Sequence, residues 1–194
     1  MPKPTVKTIA DVVLEQDFKF LKPQEMADGS RFSVCKGPYL QTPEMVVNVD
    51  EAKQLGTVIC ASDYADTIAL IEDAAVDALA NNAVEWFKRE LSHDDVDHMM
   101  KAAIKGHRVP KHVVKCNKVV CYDHELNPVD MPTEPATATL ILQVEGIRLE
   151  GKRCEISCVL RQMKLAAPPP PEVPVQTEEQ EEQDEPLTEP AFIG

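Results

Sequence analysis

Between His98 and Tyr122 the chain carries six cations, Lys101, Lys105, Arg108, Lys111, Lys115 and Lys118, and no acid. His98, His107 and His112 fall in the same window. The whole chain has a formal net charge of −13, so this stretch is a local positive field, and phosphate binding follows the local field rather than the total charge. A second basic group, Arg148, Lys152, Arg153, Arg161 and Lys164, is set against Glu145, Glu150 and Glu155. Bases of a single strand stack on aromatic rings, and Phe32, Tyr39 and Tyr122 are the candidates for that role. The nucleic-acid contacts expected from these features are Lys101, Lys105, Arg108, Lys111, Lys115, Lys118, Tyr122, Tyr39, Phe32, Lys152, Arg153 and Arg161. The competing reading is a solvated β face with ordinary lysines, and aromatics at 5% of the chain are few for a stacking platform.

Other chemistry is weaker. Six cysteines (Cys35, Cys60, Cys116, Cys121, Cys154, Cys158) include two close pairs, 116/121 and 154/158, with His112 and His124 beside the first. Neither spacing is the C-x2-C knuckle of structural zinc, and both pairs sit in β-like segments where Cys acts as a small buried hydrophobe. Reduced, metal-free core thiols are the expectation. His93-Asp94-Asp95-Val96-Asp97-His98 places Asp94 and His98 at i, i+4, but acids in a first helical turn behind Ser92 are what a capping box and the helix dipole favour. No GxSxG elbow, GxxxxGK[ST] or GxGxxG is present. The sequence therefore argues against an enzyme, and no cofactor is expected.

The elements that must position these residues come in three parts: a lead at 1–27, a core at 28–165 and a tail at 166–194. The tail holds eight acids and no Lys or Arg, which leaves 20 basic against 25 acidic residues before it. A core of that size buries roughly two-thirds of the surface its unfolded chain exposes. No apolar run approaches a membrane span, so no membrane partner is expected. The opening Met1-Pro2-Lys3-Pro4-Thr5 lacks the apolar stretch of a signal peptide, so a non-secreted protein is expected. Alternation and turn residues predict strands at Arg31–Cys35, Glu44–Val49 and Gly56–Cys60. Ser62–Leu91 has helical spacing, with Asn81-Asn82 as an interruption. Ser92 begins a further short helix, and β pattern returns over Val109–Tyr122. Asp123–Pro135 reads as a loop, and Thr137–Glu150, a Gly151-Lys152 turn and Arg153–Leu165 read as a hairpin. Strands, then helix, then strands suit a small α+β fold, or a mainly β barrel interrupted by a helix. Pro168–Pro171 reads as a stiff spacer, and the Glu/Gln-rich run beyond it is too polar to fold and is expected to be disordered. An apolar tip, Phe192-Ile193, ends it.

Three segments carry a resemblance: Gly37-Pro38-Tyr39-Leu40-Gln41-Thr42-Pro43-Glu44-Met45, Asn82-Ala83-Val84-Glu85-Trp86-Phe87-Lys88, and Leu91-Ser92. Over residues 31–165 they resemble a family of small proteins of large double-stranded DNA viruses, similar in layout to viral and phage single-stranded DNA-binding proteins of the OB-fold type. Asn82-Ala83 stands where that pattern has Asn-Ser. The resemblance implies an OB-like Greek-key barrel interrupted by a long helix. It implies a non-enzymatic partner of single-stranded DNA in replication, recombination or repair, at a viral replication site in the cytoplasm or nucleus of an infected cell, or packaged in the virion. Such proteins often carry an acidic tail with an aromatic near its end, as Phe192 is here, and the eight acids of this tail predict autoregulation by competition for the basic surface, with the tip, Phe192 and Ile193, recruiting replication proteins. A homodimer stays open. At helical spacing, Trp86 reads as packing rather than as a ligand contact. The alternative class is a virion structural or scaffold component using strands and tail for protein contacts.

Overall fold

The computed structural model describes residues 5–168. The lead supplies β1 (Val6–Thr8), a 3-10 turn at Ile9–Asp11, α1 (Leu14–Asp17), β2 (Lys19–Phe20) and β3 (Gln24–Glu25). Next come β4 (Arg31–Lys36), β5 (Tyr39–Asp50), β6 (Leu55–Ile59), α2 (Ser62–Asn81), α3 (Ala83–Phe87) and α4 (His93–Met99). The second half holds β7 (Met100–Lys101), β8 (Ile104–Lys105), β9 (Lys111–Lys115), β10 (Val120–Tyr122), β11 (Pro128–Val129), β12 (Ala136–Glu150) and β13 (Arg153–Leu165).

The β12–β13 hairpin is the backbone of the fold. Gly151, at φ 60°, supplies the left-handed residue its two-residue turn needs. Alternation then sends Leu140, Leu142 and Val144 inward on β12, and Leu160 and Met163 inward on β13. Around it β5, β6, β9, β13 and β12 close into a ring in that order. Every pairing in the ring is antiparallel except β9 with β13, which is parallel. This is a five-stranded closed barrel of the OB-like Greek-key type. The long helix α2 is inserted between its second and third strands. β4 extends the sheet beyond β12, and β10 does so beyond β13.

Two local devices bend the long strands. Pro43 has no N–H to give, so β5 bulges there, and the Leu140 N–H finds the Thr42 hydroxyl at 3.0 Å instead. At the β12 bulge Gly146 has φ 155°, and any Cβ on it would overlap the Ser33 carbonyl oxygen. Only glycine lets β4 approach β12 so closely.

α2 buries Tyr64, Ile68, Ile71, Ala75, Val76 and Leu79, an i, i+3/i+4 stripe against the barrel. It stops at Asn81, and α3 begins at Ala83, so the two asparagines do interrupt the helix. Lys88 closes α3 in the left-handed conformation. Trp86 is half-buried against the core and meets Phe87 edge-on at 6.4 Å. Ser92 and Asp95 form the reciprocal capping box of α4, which accounts for the acids there as helix-starting residues.

The lead is built into the body. β1 lies parallel on β5, β2 and β3 pair with β4, and Phe18 and Phe20 enter the core. Lys7 clamps Asp17 at 2.7 Å, and that hydrogen bond, with the Val13 N–H, holds the Asp17 carboxyl below its ordinary range. All six cysteines belong to the core. Burial pushes Cys35 and Cys158 up to about 12, and Cys60, Cys116 and Cys154 up to about 11. Among the described residues no group of three or more His, Cys, Asp or Glu is placed to hold a metal. No described helix is long and apolar enough to cross a membrane. Of the expected tail, residues 169–194, with the spacer beyond Pro168 and the tip Phe192 and Ile193, lie outside the described residues, while the Ala166 N–H still donates to the Thr137 carbonyl at 2.9 Å.

Candidate nucleic-acid interface

Side chains that leave the barrel outward fall into cross-strand rows. Phe32, Arg148, Glu155 and Lys101 form one row across β4, β12, β13 and β7. Val34, Gly146 and Ser157 form the next. Tyr39, Gln143, Val159, Lys115 and Leu55 then run across all five barrel strands. Val159 points outward yet is only 1% exposed. Farther along β9, Lys111 is opposite both Ile59 and Lys105, and Val113 is opposite Thr57.

Two grooves cross these rows. One, of about 320 Å³, is lined by Lys101, Lys105, Lys115 and Arg148 together with Leu55 and Val113. The other, of about 400 Å³, is lined by Phe32, Val34, Gln143, Glu145, Lys115 and Arg148, among others. Lys115 and Arg148 belong to both, so the grooves form one track. In OB-type barrels the face of the second and third strands, framed by the loops after strands one and four, is where oligonucleotides bind. Those strands here are β6 and β9.

Three cations of the track, and Arg161 beside it, are already paired with carboxylates. Lys101 meets Glu155 at 3.2 Å, Lys115 meets Glu145 at 3.4 Å, Arg161 meets Glu145 at 3.4 Å, and Arg148 meets Asp28 at 2.7 Å. Arg161 also donates from Nε to Gln143 at 2.9 Å. The Ser30 hydroxyl, then the Ser30 N–H and the Arg148 charge, hold the Asp28 carboxyl below its usual range. Each such half-exposed pair is worth about 1 kcal/mol or less, so a phosphate can replace the carboxylate at little cost. Lys105 and Lys111 are different. They face each other across β8 and β9, a like-charge arrangement that destabilises a sheet, and neither has a carboxylate within ion-pair distance among the described residues.

The short β7–β8 segment that presents Lys101 and Lys105 is pinned from below. The Glu72 carboxylate of α2 accepts the Ala103 N–H at 2.6 Å, and burial raises the pKa of that carboxyl. Beneath β9, His112 and Tyr64 share a 2.6 Å hydrogen bond in the core. Burial lowers the imidazole to about 4, so it is neutral near pH 7.

No family model and no curated protein matches the chain. Solved structures similar to it include three of one phage protein. The first is the single-stranded DNA-binding protein from bacteriophage Enc34 in complex with ssDNA, at TM-score 0.45 and 9% identity, covering 80% of this chain and 99% of that one. The same phage protein alone gives TM-score 0.43 and 8% identity, covering 82% and 96%. Its C-terminal truncation gives 0.45 and 9%, covering 79% and 96%.

The residues expected from sequence divide in two. Lys101, Lys105, Lys115 and Phe32 line the track, while Lys111, Arg161 and Tyr39 line neither groove but neighbour lining residues, Lys111 opposite Lys105, Arg161 bonded to Gln143 and Glu145, and Tyr39 opposite Gln143. Arg153 stands at the hairpin tip, opposite Glu150, one row beyond Glu155. Tyr122 is at the opposite end of the same face, beside Lys164. Lys152 is in the hairpin turn, Arg108 is in the bend before β9, and Lys118 occupies a left-handed turn at φ 55° after β9. None of those three lines either groove. Arg148 and Lys164, in the second basic group but not among the expected contacts, both alternate outward on the hairpin, and Arg148 lines both grooves.

Proposed function

We propose that the outer face of this barrel binds single-stranded DNA, without catalysis, in viral DNA replication, recombination or repair. The observation that carries the reading is the pair Lys105 and Lys111. Two lysines opposed across adjacent strands, with no described carboxylate between them, sit where an OB-type barrel takes an oligonucleotide. A bound phosphate would relieve their repulsion. Lys101, Lys115, Arg148 and Arg161 extend the track by exchanging carboxylates for phosphates, while Phe32 and Tyr39 supply stacking faces along its edge. Leu55, Ile59 and Val113, each more than a third exposed, give the sugar and base faces an apolar bed. The viral setting, at a replication site in the cytoplasm or nucleus, follows the resemblance of residues 31–165.

The acidic tail acts as a tethered competitor for this face and offers Phe192 and Ile193 to replication proteins. Tethering gives it an effective concentration in the millimolar range for a short linker, and salt screens the pairing over about 10 Å at 0.1 M. Binding of a fluorescent oligo-dT to the full chain at low salt tests the proposal. Replacing Lys105, Lys111 and Lys115 together with Glu abolishes binding, and Lys118→Glu leaves it intact. Undiminished affinity in the triple variant overturns the assignment.

A further inference from the structure

At the far end of the same face is a separate recess of about 410 Å³, and we propose that it is a nucleobase pocket that gives the bound strand a base preference. This rests on the single-strand reading above. Two adjacent cross-strand rows build the recess. Gln41 of β5, Ile141 of β12 and Gln162 of β13 are register partners in one row. Thr139, Lys164 and Tyr122 form the next. Leu126, 63% exposed, stands beside them. It comes from a turn that the Asp123 carboxylate fixes by accepting the Glu125 N–H at 2.9 Å and the Asn127 N–H at 2.8 Å.

The chemistry of this row suits a flat heterocycle with polar edges. Strands lie about 4.8 Å apart, so the backbones carrying Gln41 and Gln162 are about 10 Å apart with Ile141 between them. A single base ring lies on the Ile141 side chain with an amide at either edge. Each glutamine amide offers both a donor and an acceptor, as the Watson–Crick edge of a base requires. Neither Gln41 nor Gln162 has a side-chain hydrogen bond to another described residue. The Tyr122 ring borders the same recess and offers a stacking face. The lining holds one cation, Lys164, and no acid, so a phosphate at the mouth meets attraction only.

The recess begins one row beyond the track, whose lining includes Gln143. Arg161 is the extra residue of the β13 bulge, between Leu160 opposite Leu142 and Gln162 opposite Ile141, and it is bonded to Gln143 of the neighbouring row. Those two rows are about 7 Å apart, two residues along a strand. A strand held by Lys115 and Arg161 is thereby led to the recess within one further step.

The test compares dT, dC and dA homopolymers of equal length at one salt concentration, by fluorescence anisotropy, on the full chain. The wild type discriminates between its best and worst homopolymer by about tenfold, the scale of one well-made base contact. The double variant Gln41→Leu/Gln162→Leu, at exposed positions and folded by thermal melting, loses the preference, its best and worst homopolymers falling within twofold of each other. Equal binding of all three homopolymers by wild type overturns the pocket and leaves the single-strand reading standing. So does a preference that survives in the double variant. Absence of binding to every homopolymer overturns the single-strand reading and the pocket with it.

Discussion

His112 makes the barrel sensitive to mild acid, and the size of the effect follows from its surroundings. The imidazole is 1% exposed, bonded to Tyr64, and depressed by burial from 6.5 to about 4. The nearby Cys60 and Cys158 thiols are pushed up to about 11 and about 12, so they stay neutral and offer no counter-charge. A base whose folded pKa lies below its unfolded pKa takes up protons preferentially on unfolding. The stability it secures is fully present above about pH 6.5 and is lost as pH falls toward 4. Linkage with those two values gives a loss of about 2 kcal/mol between pH 7 and pH 5, before most carboxylates titrate. Urea unfolding at the two pH values measures it. His112→Gln, which keeps a polar partner for Tyr64 but cannot titrate, removes that pH-dependent loss whatever its stability at pH 7. If wild type and His112→Gln lose equal stability between pH 7 and pH 5, the reasoning from burial is wrong.

Gly146→Ala drives a methyl group into the Ser33 carbonyl and destabilises the protein by about 3 kcal/mol, read as a lower urea midpoint. Phe32→Ala and Tyr39→Ala each weaken oligo-dT binding by about 1–3 kcal/mol and leave the melting temperature nearly unchanged; equal affinity would remove them from the interface. Glu72→Ala frees the segment carrying Lys101 and Lys105 and lowers affinity although Glu72 lies outside the grooves, measured by the same titration. Deleting residues 169–194 tightens binding at low salt, with the gain shrinking as salt rises; no gain at low salt would reduce the tail to a solubiliser.

Much of the barrel was legible because its long elements keep a strict period. Alternation over Thr137–Leu165 with one Gly151-Lys152 turn is enough to predict the hairpin, and Ser92 with Asp95 is enough to start α4. The strands of the lead were not legible, since β1, β2 and β3 run two or three residues and show no period. Their pairing is decided by Phe18 and Phe20 packing on a core built elsewhere. The candidate site was half visible. The acid-free window suggests an uncompensated positive stretch, but Glu145 and Glu155 arrive from distant sequence to pair with Lys115 and Lys101. Backbone direction decided the rest. Lys111 and Lys115 alternate outward on β9, while Arg108 and Lys118 fall in turns at either side of it, a distinction that charge counting does not see.

The salt dependence of oligo-dT affinity, compared between the full chain and the variant Lys105→Ala/Lys111→Ala/Lys115→Ala, is the most direct test of the interface. Each phosphate contact to a single strand contributes about 0.7 to the slope of log K against log salt. Removing three contacts therefore flattens the slope by about 2, with the lines converging at high salt. Parallel lines for the two proteins, both folded by thermal melting, would show that these lysines touch no phosphate and that the β6–β9 face is not where the strand lies.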